Sequence, residues 1–243
     1  MNLKLTIKYD GTSYHGWQRQ PNGLTVQEVL EDTLEKVFKK KIVVTGCSRT
    51  DAGVHAAMHV SNFRCDTSIP VHKIPLVLNQ YLPQDIRAAE CVVESDDFNA
   101  RYHTVEKTYR YRILNCEHND PFLGRYVWHY PIKLDIEKMK QAAEYMVGEK
   151  DFTAFMASGS SAKTTVRNLK RVEVEKTGDL ITITATANGF LYNMVRIIVG
   201  TLVYVGNGKL TAEEVKTILA EKDRRLGGVT APPEGLRLEE VVY

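Results

Sequence analysis

Apolar and polar residues alternate over positions 2–9 and predict a strand. Thr25-Val26-Gln27-Glu28 then forms a capping box. Val26, Val29, Leu30, Leu34, Val37 and Phe38 give the helix it starts one apolar face. Strands follow near 42–46, 57–64 and 86–94, with a short helix near 72–79. The second half repeats this order loosely. Tyr109–Leu114 and Tyr126–Tyr130 read as strands, and Asp135 caps a helix running to about Val147. Strands near 169–176 and 180–187 flank the turn signal Thr177-Gly178-Asp179. A largely apolar helix spans about 190–204, and a second capping box, Thr211-Ala212-Glu213-Glu214, opens another. The pattern predicts an α+β fold of two similar split-βαβ halves, residues 1–104 and 105–243, with mainly antiparallel sheet. No sequence repeat relates the halves. Residues 156–166 are the least regular and read as a mobile surface loop.

Composition changes this picture little. A chain of 243 residues can bury a large core, and a net charge of +2 does not by itself announce a nucleic-acid partner. Cys47, Cys65, Cys91 and Cys116 are widely spaced, which argues against a disulfide framework and a zinc site and fits a reducing cytoplasm. Lys4, Lys8 and Asp10 interrupt the first apolar residues, so no signal peptide is expected. No apolar run approaches the length of a membrane span. No P-loop and no G-x-G-x-x-G occurs, so neither ATP nor a nicotinamide is expected.

The candidate chemistry centres on Gly46-Cys47-Ser48-Arg49-Thr50-Asp51-Ala52-Gly53-Val54-His55-Ala56. An apolar run precedes it, and Gly53 permits backbone angles that other residues resist. Asp51 therefore sits at a strand end or in a tight loop, where functional residues gather. The plainer alternative is that Asp51 only shapes a turn.

Five segments, in order, resemble the TruA family of tRNA pseudouridine synthases. The first is Tyr9-Asp10-Gly11 with Gly16-Trp17-Gln18-Arg19-Gln20, and the second is Arg49 to Ala56. The third joins Phe98-Asn99-Ala100-Arg101 to Lys107-Thr108-Tyr109-Arg110-Tyr111. The fourth is Gly189-Phe190-Leu191-Tyr192-Asn193-Met194-Val195-Arg196 with Gly200-Thr201, and the last is Thr230-Ala231-Pro232-Pro233-Glu234-Gly235-Leu236. The chain departs from the family pattern at Ser48, His59 and Thr104, where Gly, Gln and Ala are common. The resemblance implies the pseudouridine synthase fold: two ferredoxin-like or RRM-like halves joined in one sheet, with a cleft between them. It implies isomerisation of uridine at tRNA positions 38, 39 and 40, in the anticodon stem–loop, by a cytoplasmic homodimer that needs no cofactor and no metal.

By the same resemblance Asp51 is the catalytic carboxylate. Arg196, inside an otherwise apolar helix, needs an acid partner. That partner is Asp51 or, alternatively, some other acid. Arg49 would share a face with Asp51 in a strand-like segment and is implied in expelling the target base. A simple phosphate contact is its alternative role. Alternation puts Lys107, Tyr109 and Tyr111 on one strand face, with Tyr109 implied beneath the uracil and Tyr111 read as core. Basic residues cluster at Arg101–Arg112 and at Lys163, Arg167, Lys170 and Arg171. The second cluster meets no acid in the sequence and reads as either RNA backbone contacts or a solvated face.

Two other functions fit parts of the pattern. Asp51, His55 and His59 are spaced by four, so on a helix they would share a face and could hold the metal of a hydrolase. Gly53 and the strand-like Val60-Ser61-Asn62-Phe63 speak against that helix. A non-catalytic RNA-binding module is the second alternative, since split-βαβ folds host that role. Such a module has little use for an acid among phosphates.

Overall fold

The computed structural model describes residues 1–160 and 162–243, so Ser161 of the irregular 156–166 segment lies outside the described residues. The first elements are β1 (Asn2–Tyr9), α1 (Val26–Phe38), β2 (Thr45–Gly46), β3 (His55–Arg64), α2 (Ile74–Leu78) and β4 (Ile86–Glu94). Next come β5 (Glu106–Leu114), β6 (Trp128–His129), α3 (Ile136–Glu144), β7 (Gly148–Asp151), β8 (Val166–Thr177) and β9 (Leu180–Ala187). The chain ends with α4 (Met194–Gly206), α5 (Glu214–Glu221) and β10 (Leu236–Val242). These elements group into two compact units, Met1–Val105 with Arg237–Tyr243, and Glu106–Leu236.

In the first unit the strand order is β4-β1-β3-β10, with β2 beside β3. β1 runs antiparallel to β3 and β4, whereas β10 runs parallel to β3, pairing Arg237 with His55 and Leu238 with Ala56. Helix α1 begins as its capping box predicts, with Thr25 Oγ1 accepting the Glu28 N–H at 3.3 Å. It buries Val26, Leu30 and Leu34. It also buries Glu31, whose carboxylate accepts the Val44 N–H at 3.1 Å and the Gln27 side-chain amide at 3.0 Å. Gln27 Nε2 donates in turn to the Val44 carbonyl at 3.2 Å. Helix side chains thus satisfy the backbone that a neighbouring strand would otherwise serve. That is why only Thr45–Gly46 of the expected 42–46 strand joins the ladder, although Ile42 and Val44 are buried.

The second unit has the order β5-β9-β8-β7, all antiparallel, with the short β6 parallel to β5. A register shift in β8 between Leu169 and Arg171 keeps Leu169, Val172 and Val174 all buried. Helix α3 ends at Glu144, three residues before the expected Val147, because the chain turns there into β7. The expected helix over 190–204 starts instead at Met194, after Asn193 takes a left-handed conformation at φ 59°. Most of α4 is buried, as its apolar sequence requires.

Where the chain of 228–231 crosses α4, backbone meets backbone. A Cβ on Gly200 would lie 1.8 Å from the Val229 carbonyl oxygen, so only glycine fits. Thr201 Oγ1 fastens the crossing by donating to the Ile197 carbonyl at 2.8 Å and accepting the Gly228 N–H at 2.9 Å.

Gly200→Ala should therefore destabilise the protein by about 3 kcal/mol, the upper end of overpacking costs, despite a gain of roughly 1 kcal/mol in helix propensity. Gly208 has φ 80° with open space around it, so Gly208→Ala should cost only about 1 kcal/mol, from backbone strain. Denaturant midpoints measure both. A Gly200→Ala midpoint equal to wild type would mean that the two segments do not approach as described.

Candidate active site

Asp51 lies in the loop between β2 and β3, and residues 10–17 clasp that loop. Trp17 N–H donates to the Thr50 carbonyl at 3.1 Å, and Gly53 N–H donates to the Tyr14 carbonyl at 3.2 Å. The loop closes on itself where Val54 N–H donates to the Asp51 carbonyl at 3.1 Å, with Gly53 at φ 79°. Two glycines let the clasp close. A Cβ on Gly16 would lie 2.3 Å from the Thr50 oxygen, and one on Gly11 would lie 2.0 Å from the Val54 oxygen.

Beneath the loop lies an aromatic stack. The ring of Trp17 lies 3.7 Å from that of His59 at an interplanar angle of 24°, and Tyr9 stacks on Trp17 at 6.4 Å. All three are buried. Gly46 faces the indole so closely that a Cβ there would lie 2.5 Å from Nε1. Tyr9 OH hydrogen-bonds Thr50 Oγ1 at 2.8 Å, and His59 Nε2–H donates to the Ser48 carbonyl at 3.0 Å. Ser48 and His59, two of the three departures from the family pattern, are therefore bonded to each other. At the far end of the loop, His55 Nδ1 accepts the Gly11 N–H at 3.0 Å and lies 3.1 Å from Asp10 Oδ1.

The loop itself is not a strand, so a shared face for Arg49 and Asp51 cannot rest on strand alternation. Thr50 is buried between them, Arg49 is exposed and Asp51 is half-buried. The three residues considered for a metal do not share a helix either, since His55 and His59 lie on β3. Among the described residues no group of three or more His, Cys, Asp or Glu side chains is arranged to hold a metal ion.

In the second unit Tyr109 lies on β5, only 6% exposed, and meets Phe190 edge-on at 5.2 Å and 87°. Tyr111 is wholly buried, as expected of a core residue, and its OH donates to the Pro232 carbonyl at 2.7 Å. Burial pushes the Tyr111 phenol well above its ordinary pKa. Arg196 is half-buried on the first turn of α4. Its Nε donates to the Ala231 carbonyl at 2.6 Å and its Nη1 to Asn193 Oδ1 at 2.9 Å. Ala231 N–H donates back to the Arg196 carbonyl at 3.1 Å. The left-handed Asn193 and the crossing strap at Ala231 thus fix the plane of the guanidinium.

The second basic cluster is not acid-free in three dimensions. Lys170 is ion-paired with Glu106, and Arg171 lies 3.1 Å from Glu173. The Lys170–Glu106 pair joins residues far apart in sequence, whereas Arg171 and Glu173 lie two apart on β8, where alternation puts them on one face. The roles of Trp17, Phe190 and Asn193 were likewise missed by sequence reasoning, although all three lie inside the quoted motifs. Gly16-Trp17, a large aromatic directly after a glycine, carried a usable signal.

Comparison with known proteins agrees with the motifs. A family model described as "tRNA pseudouridine synthase" matches residues 5–103 and 142–243. The chain is 50% identical over 242 residues to "tRNA pseudouridine synthase A" of Thermoanaerobacter sp. (strain X514), covering 100% of this chain and 99% of that one. It is 46% identical to "tRNA pseudouridine synthase A 2" of Clostridium perfringens and 45% identical to "tRNA pseudouridine synthase A" of Caldicellulosiruptor saccharolyticus, with the same coverage.

The His59–Ser48 bond generates a graded expectation. His59→Gln keeps a donor and should leave stability within about 1 kcal/mol, whereas His59→Leu removes the part-buried bond to the Ser48 carbonyl and should cost about 1–3 kcal/mol. Thermal unfolding of the two variants checks the order. Equal losses would mean that the imidazole serves only as packing.

Proposed function

The chain belongs to the tRNA pseudouridine synthase family, and we propose that, in isomerising uridine to pseudouridine in tRNA, it uses Asp51 as the reacting carboxylate and targets positions 38, 39 and 40 of the anticodon stem–loop. The activity rests on identity to synthases along the whole chain. What supports Asp51 is its setting: a half-buried acid in a loop whose backbone is clasped on both sides.

The isomerisation breaks the bond from uracil N1 to the ribose and makes one from C5 to the same carbon. A proton leaves C5 and one is taken up at N1, so atoms balance without oxidant, reductant or leaving group. The protein must supply a carboxylate that attacks the sugar, attacks the base or removes a ribose proton. Each route needs that carboxylate ionised. An arginine beside it lowers its pKa by roughly one to three units, and Arg196 is the residue proposed for this. Its guanidinium is already oriented by Asn193 and Ala231.

Arg49, exposed next to the buried Thr50, is proposed to fill the place of the expelled base. Tyr109 is proposed to stack on the uracil, beside the Phe190 ring that now meets it. Family membership also favours a homodimer that shares each tRNA between subunits, and a cytoplasmic location. No described helix is long and apolar enough to cross a membrane.

Mapping pseudouridine in unmodified tRNA before and after incubation with the protein tests the target. New pseudouridine should occur at positions 38, 39 and 40. Modification confined to another stem would overturn that target, and none at all would overturn the activity.

Arg196→Met tests how Asp51 is kept charged. Removing a neighbouring positive charge raises a carboxyl pKa, so the acidic limb of the pH–rate profile should move to higher pH by about one unit or more. The variant should lose most activity at low pH and least above neutrality. Superimposable profiles would show that Arg196 does not hold Asp51 ionised.

A further inference from the structure

Structure divides the second basic cluster. Lys170 and Arg171 face carboxylates, but Arg167 has no acid partner among the described residues. Its Nη1 donates to the Thr164 carbonyl at 3.0 Å, to Thr164 Oγ1 at 3.3 Å and to the Val166 carbonyl at 2.6 Å. These acceptors are neutral and local, and they hold one corner of the guanidinium. A guanidinium carries five N–H donors, and those on Nε and Nη2 have no hydrogen-bond partner among the described residues. The side chain is half-buried, and burial lowers its pKa with no carboxylate to offset the effect. Arginine nonetheless stays charged. The result is a positioned, partly desolvated cation.

Its location gives that cation a use. The register pairs Leu169 with Ala187, Ala187 with Lys107, and Ala185 with Tyr109. Residues two apart on a strand share a face, so Arg167 lies on the same face of this unit's sheet as Tyr109. A Cβ on Gly189 would lie 3.8 Å from Arg167 Nε and 4.0 Å from Cδ, so the arginine stem crosses Gly189. Phe190, the next residue, packs on Tyr109. Arg167, Phe190 and Tyr109 therefore follow one another along one surface. Gly189 adds no side chain to it, which leaves room for another backbone to approach.

We propose that Arg167 is a phosphodiester-binding residue, whose Nε and Nη2 take the phosphate of the nucleotide seated at Tyr109 or of its immediate neighbour. This rests on the reading of Tyr109 as the base-stacking residue. The planar fork matches two phosphate oxygens, and the bond is charge-assisted. The contact fixes the nucleotide's position and carries no base information.

The test is a set of synthetic anticodon stem–loop RNAs, each with one phosphate replaced by a neutral methylphosphonate. Affinities are measured with the full chain carrying Asp51→Asn, to arrest turnover, with and without Arg167→Gln. Arg167→Gln should weaken binding of the all-phosphate RNA about tenfold and make the salt slope shallower by about 0.7–0.9. One methylphosphonate, within a nucleotide of the target uridine, should cost about tenfold while Arg167 is present. With Arg167→Gln in place, the same methylphosphonate should cost nothing further. Arg167→Lys should recover part of the affinity. Additive losses at every linkage, or coupling to a linkage several nucleotides away, would overturn the site. Pseudouridine formation by the otherwise wild-type chain, scored on the all-phosphate RNA, separates the two claims. Conversion without phosphate coupling overturns the Arg167 site alone. Coupling beside the uridine without conversion supports the site and overturns the activity.

Discussion

The close approach of two backbone segments, residues 11–17 against 50–54, is the constraint on which the Asp51 loop depends. Backbone carbonyls at Thr50 and Val54 occupy the space where side chains on Gly16 and Gly11 would stand. Any Cβ there would push the loop away from its hydrogen bonds to Trp17 and Tyr14. Gly16 has a second reason to be glycine, since its φ is 82°. The Trp17–His59–Tyr9 stack then supports the loop from below. The loop that carries Asp51 is thus held through its main chain and those of its neighbours.

The second unit uses the same device for a different purpose. Gly200 lets the strap at 228–231 lie directly on α4, and the strap delivers the Ala231 carbonyl to Arg196. Asn193, left-handed just before the helix, supplies the other acceptor. An arginine has several soft torsions, and fixing it costs conformational entropy. The Ala231 carbonyl and the Asn193 side-chain oxygen meet part of that cost before any substrate arrives. The motif residues that look unrelated in sequence, Asn193, Arg196, Gly200 and Ala231, are parts of one support.

Much of this was legible in the sequence, and the failures have physical causes. Capping boxes at Thr25 and Thr211 marked helix starts because they are local: Thr211 N–H donates to Glu214 Oε2 at 2.6 Å, and Glu214 N–H donates to Thr211 Oγ1 at 3.3 Å. The turn at 177–179 was likewise a short-range signal. The strands β7 and β10 were missed. Gly148–Asp151 is too polar and too short to show alternation, and Leu236–Val242 pairs with β3, far away in sequence. The 42–46 segment looked like a strand because it opens with the apolar run Ile42-Val43-Val44, but Glu31 and Gln27 of α1 take hydrogen bonds of its backbone. Asp51, Tyr109, Arg49 and Arg196 were named from motifs. The side chains that support them, Phe190 on Tyr109 and Asn193 on Arg196, could be assigned roles only in three dimensions.

The central claim is that the clasped carboxylate of Asp51 is the reacting group. Single-turnover pseudouridine formation by Asp51→Asn, with tRNA affinity measured alongside, tests it most directly. The substitution keeps the shape of the side chain and the main-chain bonds of the loop. Phosphate contacts dominate affinity, so binding should largely survive. The rate should fall ~10⁴-fold or more, equivalent to about 5.5 kcal/mol of barrier. A rate within tenfold of wild type, with binding intact, would contradict the assignment.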